Sequence, residues 1–193
     1  MTREYHVVSF SGGKDSTAML LKMTELGVPI DCVLFCDTGL EFPAMYEHIK
    51  SVEKRIGKNI TIVRANESFE YMMFNKPINR RPDSSVMLKY GGTQKGYGWP
   101  GPRLRWCTER LKNEPRERFI RGLSKQYDVI EYVGLAADEG YRLHRKPKTA
   151  RQIRVWLADP HTDSAEYKMW GNGVALPCVY FVLSGIVWAN GKD

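Results

Sequence analysis

Six consecutive residues, Ser11, Gly12, Gly13, Lys14, Asp15 and Ser16, place two glycines, a lysine, a carboxylate and two hydroxyls between an apolar run and a stretch of helical periodicity. Two glycines let the chain curl and let its backbone approach a ligand without Cβ collisions. A helix that begins here points its first N–H groups outward and carries about half a positive charge at its start. The result is an anion seat made mostly of main chain, to which Lys14 adds a full charge and Ser11, Ser16 and Thr17 add hydroxyl donors. Asp15 suits such a seat when a divalent cation such as magnesium bridges it to phosphate. The spacing differs from the G-x-x-x-x-G-K-[ST] loop and from the G-x-G-x-x-G dinucleotide fingerprint.

The basic residues form a second concentration of chemistry within a formal net charge of +7. Arg103, Arg105, Arg110, Lys112, Arg116, Arg118 and Arg121 face only Glu109, Glu114 and Glu117 in the same stretch, and Arg142, Arg145, Lys146, Lys148, Arg151 and Arg154 follow. Such density suits a polyanionic partner, a nucleotide or a nucleic acid, and equally suits a solvated helix face laced by ion pairs. The four cysteines, Cys32, Cys36, Cys107 and Cys178, lack C-x-x-C spacing, which argues against a secreted disulfide framework and a structural zinc site. Cys32 and Cys36 lie in an apolar run and read as small buried hydrophobes. Cys107, flanked by Arg105, Arg110 and Lys112, is either a thiol activated by nearby cations or a packing residue.

These residues need elements to hold them. Residues 5–10 read as a strand, and Met19, Leu20, Met23 and Leu26 mark a helix from Ser16 that Gly27 and Pro29 stop. Residues 31–36 form a second strand, 41–57 a helix with Met45, Ile49, Val52 and Ile56 on one stripe, and 59–65 a third strand. Residues 76–105 hold five glycines and four prolines, which predicts a long irregular loop of functional character. A helix over 106–123, interrupted or restarted at Pro115, and a strand within 127–140 that ends at an acidic pair complete the pattern. Strand alternating with helix over short joins predicts an α/β fold, a doubly wound and mainly parallel sheet with helices on both faces. The expected organisation is one nucleotide-binding domain over 1–155 and a C-terminal appendage over 156–193 docked on it. The longest apolar stretch, 174–189, is broken by Pro177 and Gly185, and the start carries Arg3 and Glu4 without an apolar leader, so no membrane partner and a cytoplasmic address are expected.

The segment from Ser9 to Ser16, "SFSGGKDS", resembles the pyrophosphate-binding loop of the PP-loop ATP pyrophosphatase superfamily. Three further segments are similar to its phosphoadenosine phosphosulfate (PAPS) reductase-like branch: "LFCDTGLEFPAMYEHI" (34–49), "RWCTERLKNEP" (105–115) and "YVGLAADEGYRLHR" (132–145). Together they span about residues 5–146. The resemblance implies a sheet with an adenine nucleotide, ATP or a relative, across its strand ends. It implies phosphate contacts from Ser9, Ser11, Gly12, Gly13, Lys14, Asp15 and Ser16, magnesium placement by Asp15, and nucleotide contacts from Asp37, Thr38 and Gly39 where a strand runs out at the switch point. Arg105, Lys112 and Arg142 would meet a second anionic group, and catalytic roles would fall to Lys14, Asp15, Arg105 and Lys112, with Cys107 as the sulfur-chemistry alternative. PAPS reductases of this lineage end in an E-C-G-[IL]-H segment or carry paired cysteines for an iron-sulfur cluster; this sequence has neither, so no cluster is expected.

From about 157 to 189 the sequence resembles the tail of cytosine-5 DNA methyltransferases, with Gly171, Asn172 and Gly173 at matching positions. The catalytic P-C-Q and E-N-V segments of that family are missing, and Cys178 is followed by Val179. The tail is therefore expected to pack through Val174, Leu176, Val179, Phe181, Val182 and Ile186. Three functional expectations follow: nucleotidyl transfer from ATP to an unidentified acceptor, sulfonucleotide reduction or sulfur transfer through Cys107, or a non-catalytic nucleotide- or DNA-binding module linked to a phage or prophage DNA methyltransferase.

Overall fold

The computed structural model describes residues 2–79, 81–91, 95–101, 104–136 and 151–157. The expectations for Arg142, Cys178, the acidic pair at Asp138 and Glu139, and the methyltransferase-like tail beyond Leu157 lie outside the described residues.

Five strands, β1 (Glu4–Phe10), β2 (Cys32–Asp37), β3 (Ile60–Arg64), β4 (Asp128–Ala136) and β5 (Arg151–Leu157), form one sheet in the order β3-β2-β1-β4-β5. Every pairing is parallel, with Val8 opposite Val33 on one side and Tyr132 on the other. The helices are α1 (Lys14–Glu25), α2 (Pro43–Ile56), α3 (Ser85–Tyr90) and α4 (Glu114–Leu123). This is the doubly wound α/β arrangement: the chain starts in the centre, winds out through β2 and β3, then returns to the other side for β4 and β5. Strand order therefore reverses between β1 and β4, where open sheets form their ligand crevice. Asp37 ends β2, one strand away, which corrects the expectation that it stands at the switch point.

Period-two alternation divides the sheet's side chains between two layers. Val8, Phe10, Val33, Phe35, Ile130 and Tyr132 pack under α1 and α2 with Met19, Leu20, Met23, Ile49, Val52 and Ile56. Val7, Leu34 and Val129 pack on the opposite face against Ile120 of α4. Leu26, expected on the α1 stripe, is 68% exposed because the helix closes at Glu25 and Leu26 caps it.

The segment between β3 and α4 departs most from expectation. Within it, a π-helical turn, Tyr71–Asn75, comes just before the loop expected over 76–105, and that stretch contains α3, capped by the Ser84 hydroxyl accepting from Met87 N at 3.3 Å. A second π-helical turn, Thr108–Asn113, runs directly into α4, so the winding changes just before Pro115, whose missing N–H cannot continue an ordinary ladder. Met72, Met73, Trp106 and Leu111 bury one another here as a separate cluster, with Ala65, Phe69, Tyr97 and Cys107 packed against it. Strand β5 was not anticipated, since Arg151, Gln152 and Arg154 break its apolar pattern. No helix among the described residues is long and apolar enough to cross a membrane.

Candidate functional site

The loop between β1 and α1 is built by its own short-range bonds. Gly12 takes φ +75°, a left-handed conformation open to glycine, and a Cβ there would lie 2.2 Å from Met45 Sδ on α2. Gly13 caps α1 with extended backbone and no side-chain cap, and the first helical bond runs from Thr17 N to Gly13 O at 3.0 Å. A helix start left without a side-chain cap is suited to an external anion. Ser16 is buried; its hydroxyl accepts from Ser11 N at 3.1 Å, donates to Gly13 O at 3.0 Å, and lies 2.9 Å from Ser11 Oγ. Thr17 Oγ1 donates to the same Gly13 carbonyl at 2.9 Å and meets His48 Nε2 at 3.1 Å. Ser16 and Thr17 thus brace the loop, a different role from the direct phosphate donation expected of their hydroxyls. Lys14 and Gly12 border a cleft of about 520 Å³ between α1 and α2, lined further by Leu21, Phe42, Met45 and His48.

The end of β2 is fixed by one carboxylate. Asp37 is 1% exposed and accepts from Gly39 N at 2.8 Å, Tyr46 Oη at 3.0 Å, and Arg64 Nε and a terminal guanidinium nitrogen at 2.9 and 2.6 Å. Burial alone would raise its pKa; the Gly39 N–H, the Arg64 guanidinium and the Tyr46 hydroxyl together bring it below the ordinary carboxylate value. Burial, then the same carboxylate, push Tyr46 upward. Asp37 therefore shapes the turn that presents Thr38 and Gly39, with its oxygens already engaged. Thr38 Oγ1 donates to Glu41 Oε1 at 3.0 Å, and Lys112 Nζ stands 3.7 Å from the same oxygen, so Glu41 joins the β2 turn to the π-helical turn that carries Lys112.

Ser9 points to the opposite face of the sheet. Its hydroxyl donates to Glu131 Oε1 at 2.6 Å, and Arg116 of α4 donates to the same oxygen. Glu131 is wholly buried at mid-sheet, so the hydroxyl of Ser9, expected among the phosphate contacts, is engaged with an internal acid. Cys36 lies in the fields of Arg116, Lys112 and Glu131, yet burial dominates and raises its thiol pKa to about 11. Burial likewise raises Cys32. Cys107 is half-buried against the Met72–Trp106–Leu111 cluster. The basic stretch is largely paired: Arg110 with Glu114, Arg116 with Glu131 and Glu117, Lys112 with Glu41, and Arg118 donating to Arg64 O at 3.0 Å. Arg105 is exposed just before Trp106.

Among the described residues no group of three His, Cys, Asp or Glu side chains converges as a metal site. The loop's one carboxylate is Asp15, and a single carboxylate suits magnesium, which keeps waters and phosphate oxygens as most of its ligands. The geometry brings together Ser11, Gly12, Gly13, Lys14, Asp15 and Ser16 at the start of α1, and joins Thr38 and Lys112 through Glu41. Glu41, Tyr46, Arg64 and Glu131 were missed, and Arg116 was read only as one of a basic stretch, because Lys112, Arg64 and Glu131 reach their partners across the sequence. An arginine ending β3 beside an aspartate ending β2 is the one signal that a strand alignment could have supplied.

The phosphoadenosine phosphosulfate reductase domain model matches residues 5–152. An uncharacterized protein of Methanocaldococcus jannaschii is 32% identical over 156 residues, covering 77% of this chain and 28% of that protein. An uncharacterized nin region protein of Escherichia phage lambda is 29% identical over 150 residues, covering 74% of this chain and 51% of that protein. The chain thus spans about half or less of the length of these relatives. A crystal structure of phosphoadenylyl-sulfate (PAPS) reductase from Candida auris in a phosphate complex aligns over 96% of this chain and 74% of that one, with 16% identity and a TM-score of 0.46.

Proposed function

Since the chain belongs to the phosphoadenosine phosphosulfate reductase domain family, we propose that it binds an adenine nucleotide at the β1–α1 loop and transfers nucleotidyl groups from ATP. The observation that carries this reading is the loop itself, a left-handed Gly12, a glycine-capped helix and a self-bonded Ser11–Ser16 pair at the carboxyl ends of parallel strands. In this reaction an acceptor nucleophile attacks the α-phosphorus of ATP, the bond to the bridging oxygen breaks, and its electron pair leaves with pyrophosphate. The main-chain N–H groups at the start of α1 and Lys14 hold the departing charge, a stabilisation that works because the donors are fixed in advance. Asp15 would hold magnesium, which when bound neutralises phosphate charge. The adenosine end lies toward the β1/β4 reversal, where the fold opens. The acceptor belongs to a nucleic acid or to a small compound bearing sulfur or nitrogen.

A second reading, sulfonucleotide reduction through Cys107, has the family's reductase chemistry in its favour, while the packing of Cys107 in an apolar cluster favours the first. Kinship with a phage protein supports the third, an accessory module beside phage DNA-modifying enzymes. Isothermal titration with ATP, AMP and PAPS ranks them. ATP binding, together with pyrophosphate release that disappears in Lys14→Ala, is the expected result. Tighter PAPS binding and thiol-dependent turnover abolished by Cys107→Ser would replace it with the second reading, and binding without any turnover with the third.

A further inference from the structure

The layer between β3 and α4 is chemically unlike the rest of the chain. Residues 66–113 contain nine basic and four acidic residues, so a quarter of the sequence carries a net +5 of the total +7. Among the described residues, four aromatic side chains are strongly exposed, and three of them, Tyr71 (40%), Phe74 (57%) and Trp99 (41%), belong to this layer. Their support is rigid. Phe69 and Tyr97 each stack on Trp106, at centroid distances of 5.1 and 5.4 Å, and Phe69 meets Trp99 edge to face at 6.5 Å. Trp106 Nε1 donates to Gly98 O at 3.0 Å, while Gly96 N, Tyr97 N and Gly98 N donate to the carbonyls of Lys76, Met72 and Met73. Gly96 is so close to this turn that a Cβ would lie 2.1 Å from Met73 O. The segments 71–76 and 95–99 are therefore one cross-bonded unit with rings on its outside. Lys95 and Arg105 are exposed on it, and Arg110 sits 6.0 Å from the Tyr97 ring.

We propose that this layer is a docking surface for single-stranded nucleic acid. Unpaired bases stack on Tyr71, Phe74 and Trp99, and phosphates meet Lys95 and Arg105, the combination of stacking platform and positive charge that binds strands without sequence preference. Double-stranded nucleic acid keeps its base faces covered and would use only the charges. The surface rests on the nucleotidyl-transfer reading only in one respect: with that chemistry, the bound strand is the acceptor.

The test measures fluorescence anisotropy of labelled oligo-dT and oligo-rU with the whole protein, alongside an ATP titration. Strand binding is expected that weakens steeply with salt, exceeds binding to the matching duplex, and falls about tenfold in Phe74→Ala/Trp99→Ala with ATP binding unchanged. Lys95→Glu, an exposed position, keeps the test valid if the aromatic variant does not fold, and is expected to weaken strands and reduce the salt slope by about one. The oligo-dT and oligo-rU arms distinguish a DNA from an RNA strand. Inorganic polyphosphate competing as well as oligonucleotide, an unchanged affinity in both variants, preference for duplex, or binding confined to phosphatidylserine vesicles would each overturn the proposal. Strand binding without ATP binding leaves the surface standing and removes the nucleotidyl-transfer reading; ATP binding without strand binding does the reverse.

Discussion

The two faces of the sheet solve burial differently. Under α1 and α2 the layer is mostly apolar, from Ile56 and Ile60 to Met19 and Phe10, and its buried carboxylate, Asp37, sits at the end of β2 where Tyr46 and Arg64 reach it. Under α4 the hydrocarbon of Val7, Leu34, Val129 and Ile120 gives way to Ser9, Cys36, Glu131 and Arg116. Away from that strand end the first face needs only shape and tolerates many sequences. The second encloses, at mid-sheet, the Glu131 carboxyl, which requires Ser9 and Arg116 in place, because breaking a buried pair costs far more than losing an apolar contact. The face under α1 and α2 therefore supports the loop by packing, while the α4 face ties Ser9, at the foot of that loop, to a helix more than a hundred residues away.

The largest test removes the acid. Glu131→Ala is expected to destabilise the protein by about 3 kcal/mol in urea unfolding, since Arg116 then loses its buried partner, and Glu131→Leu with Arg116→Met should recover most of that loss. A cost of a few tenths of a kcal/mol would mean that the two faces are equivalent. Gly12→Ala acts on the other face: the left-handed backbone is expected to cost about 1–2 kcal/mol, and the Cβ collides with Met45, so ATP affinity falls with it. Adding Met45→Ala relieves the contact but leaves the backbone strain, which keeps affinity below that of the unaltered protein.

A smaller effect concerns Asp37. Its folded pKa lies below the unfolded value, so its contribution is complete above the unfolded pKa, about 4, and is lost as pH falls through the folded one. The urea midpoint should drop on acidification below about pH 4, and Arg64→Ala should make that drop shallower. An equal slope in both proteins would remove Arg64 from the account. The smallest effect is on reactivity: with a pKa of about 11, Cys36 should resist iodoacetamide at about pH 8, while unfolded chain is labelled readily. Mass spectrometry of the tryptic peptide reads the difference.

What was legible in the sequence follows from the range of the forces involved. The β1–α1 loop is determined by residues within six positions of one another, so its glycines, its helix start and its serines could be read directly. The apolar stripes of α1 and α2 were equally plain, because periodicity records a face. Glu131 could not be read as buried: in isolation it is a charge in a strand, and only Arg116 and Ser9 make its burial tolerable. Asp37 was legible as a residue at a strand end, but its engagement by Arg64 required knowing that β3 lies beside β2. The π-helical turns left no local signature, and α3 was hidden among glycines and prolines that also terminate helices.

The π-helical turn at Thr108–Asn113 sets a phase. An extra residue in one turn rotates everything before it by about 100° relative to ordinary winding, so Arg105, Trp106 and Cys107 are aimed independently of Ile120, which is fixed in the sheet's core. Deleting one residue there would leave both ends chemically intact and turn Trp106 and Cys107 away from the side on which they now meet Met72 and Leu111, as a gear displaced by one tooth still turns but no longer keeps time.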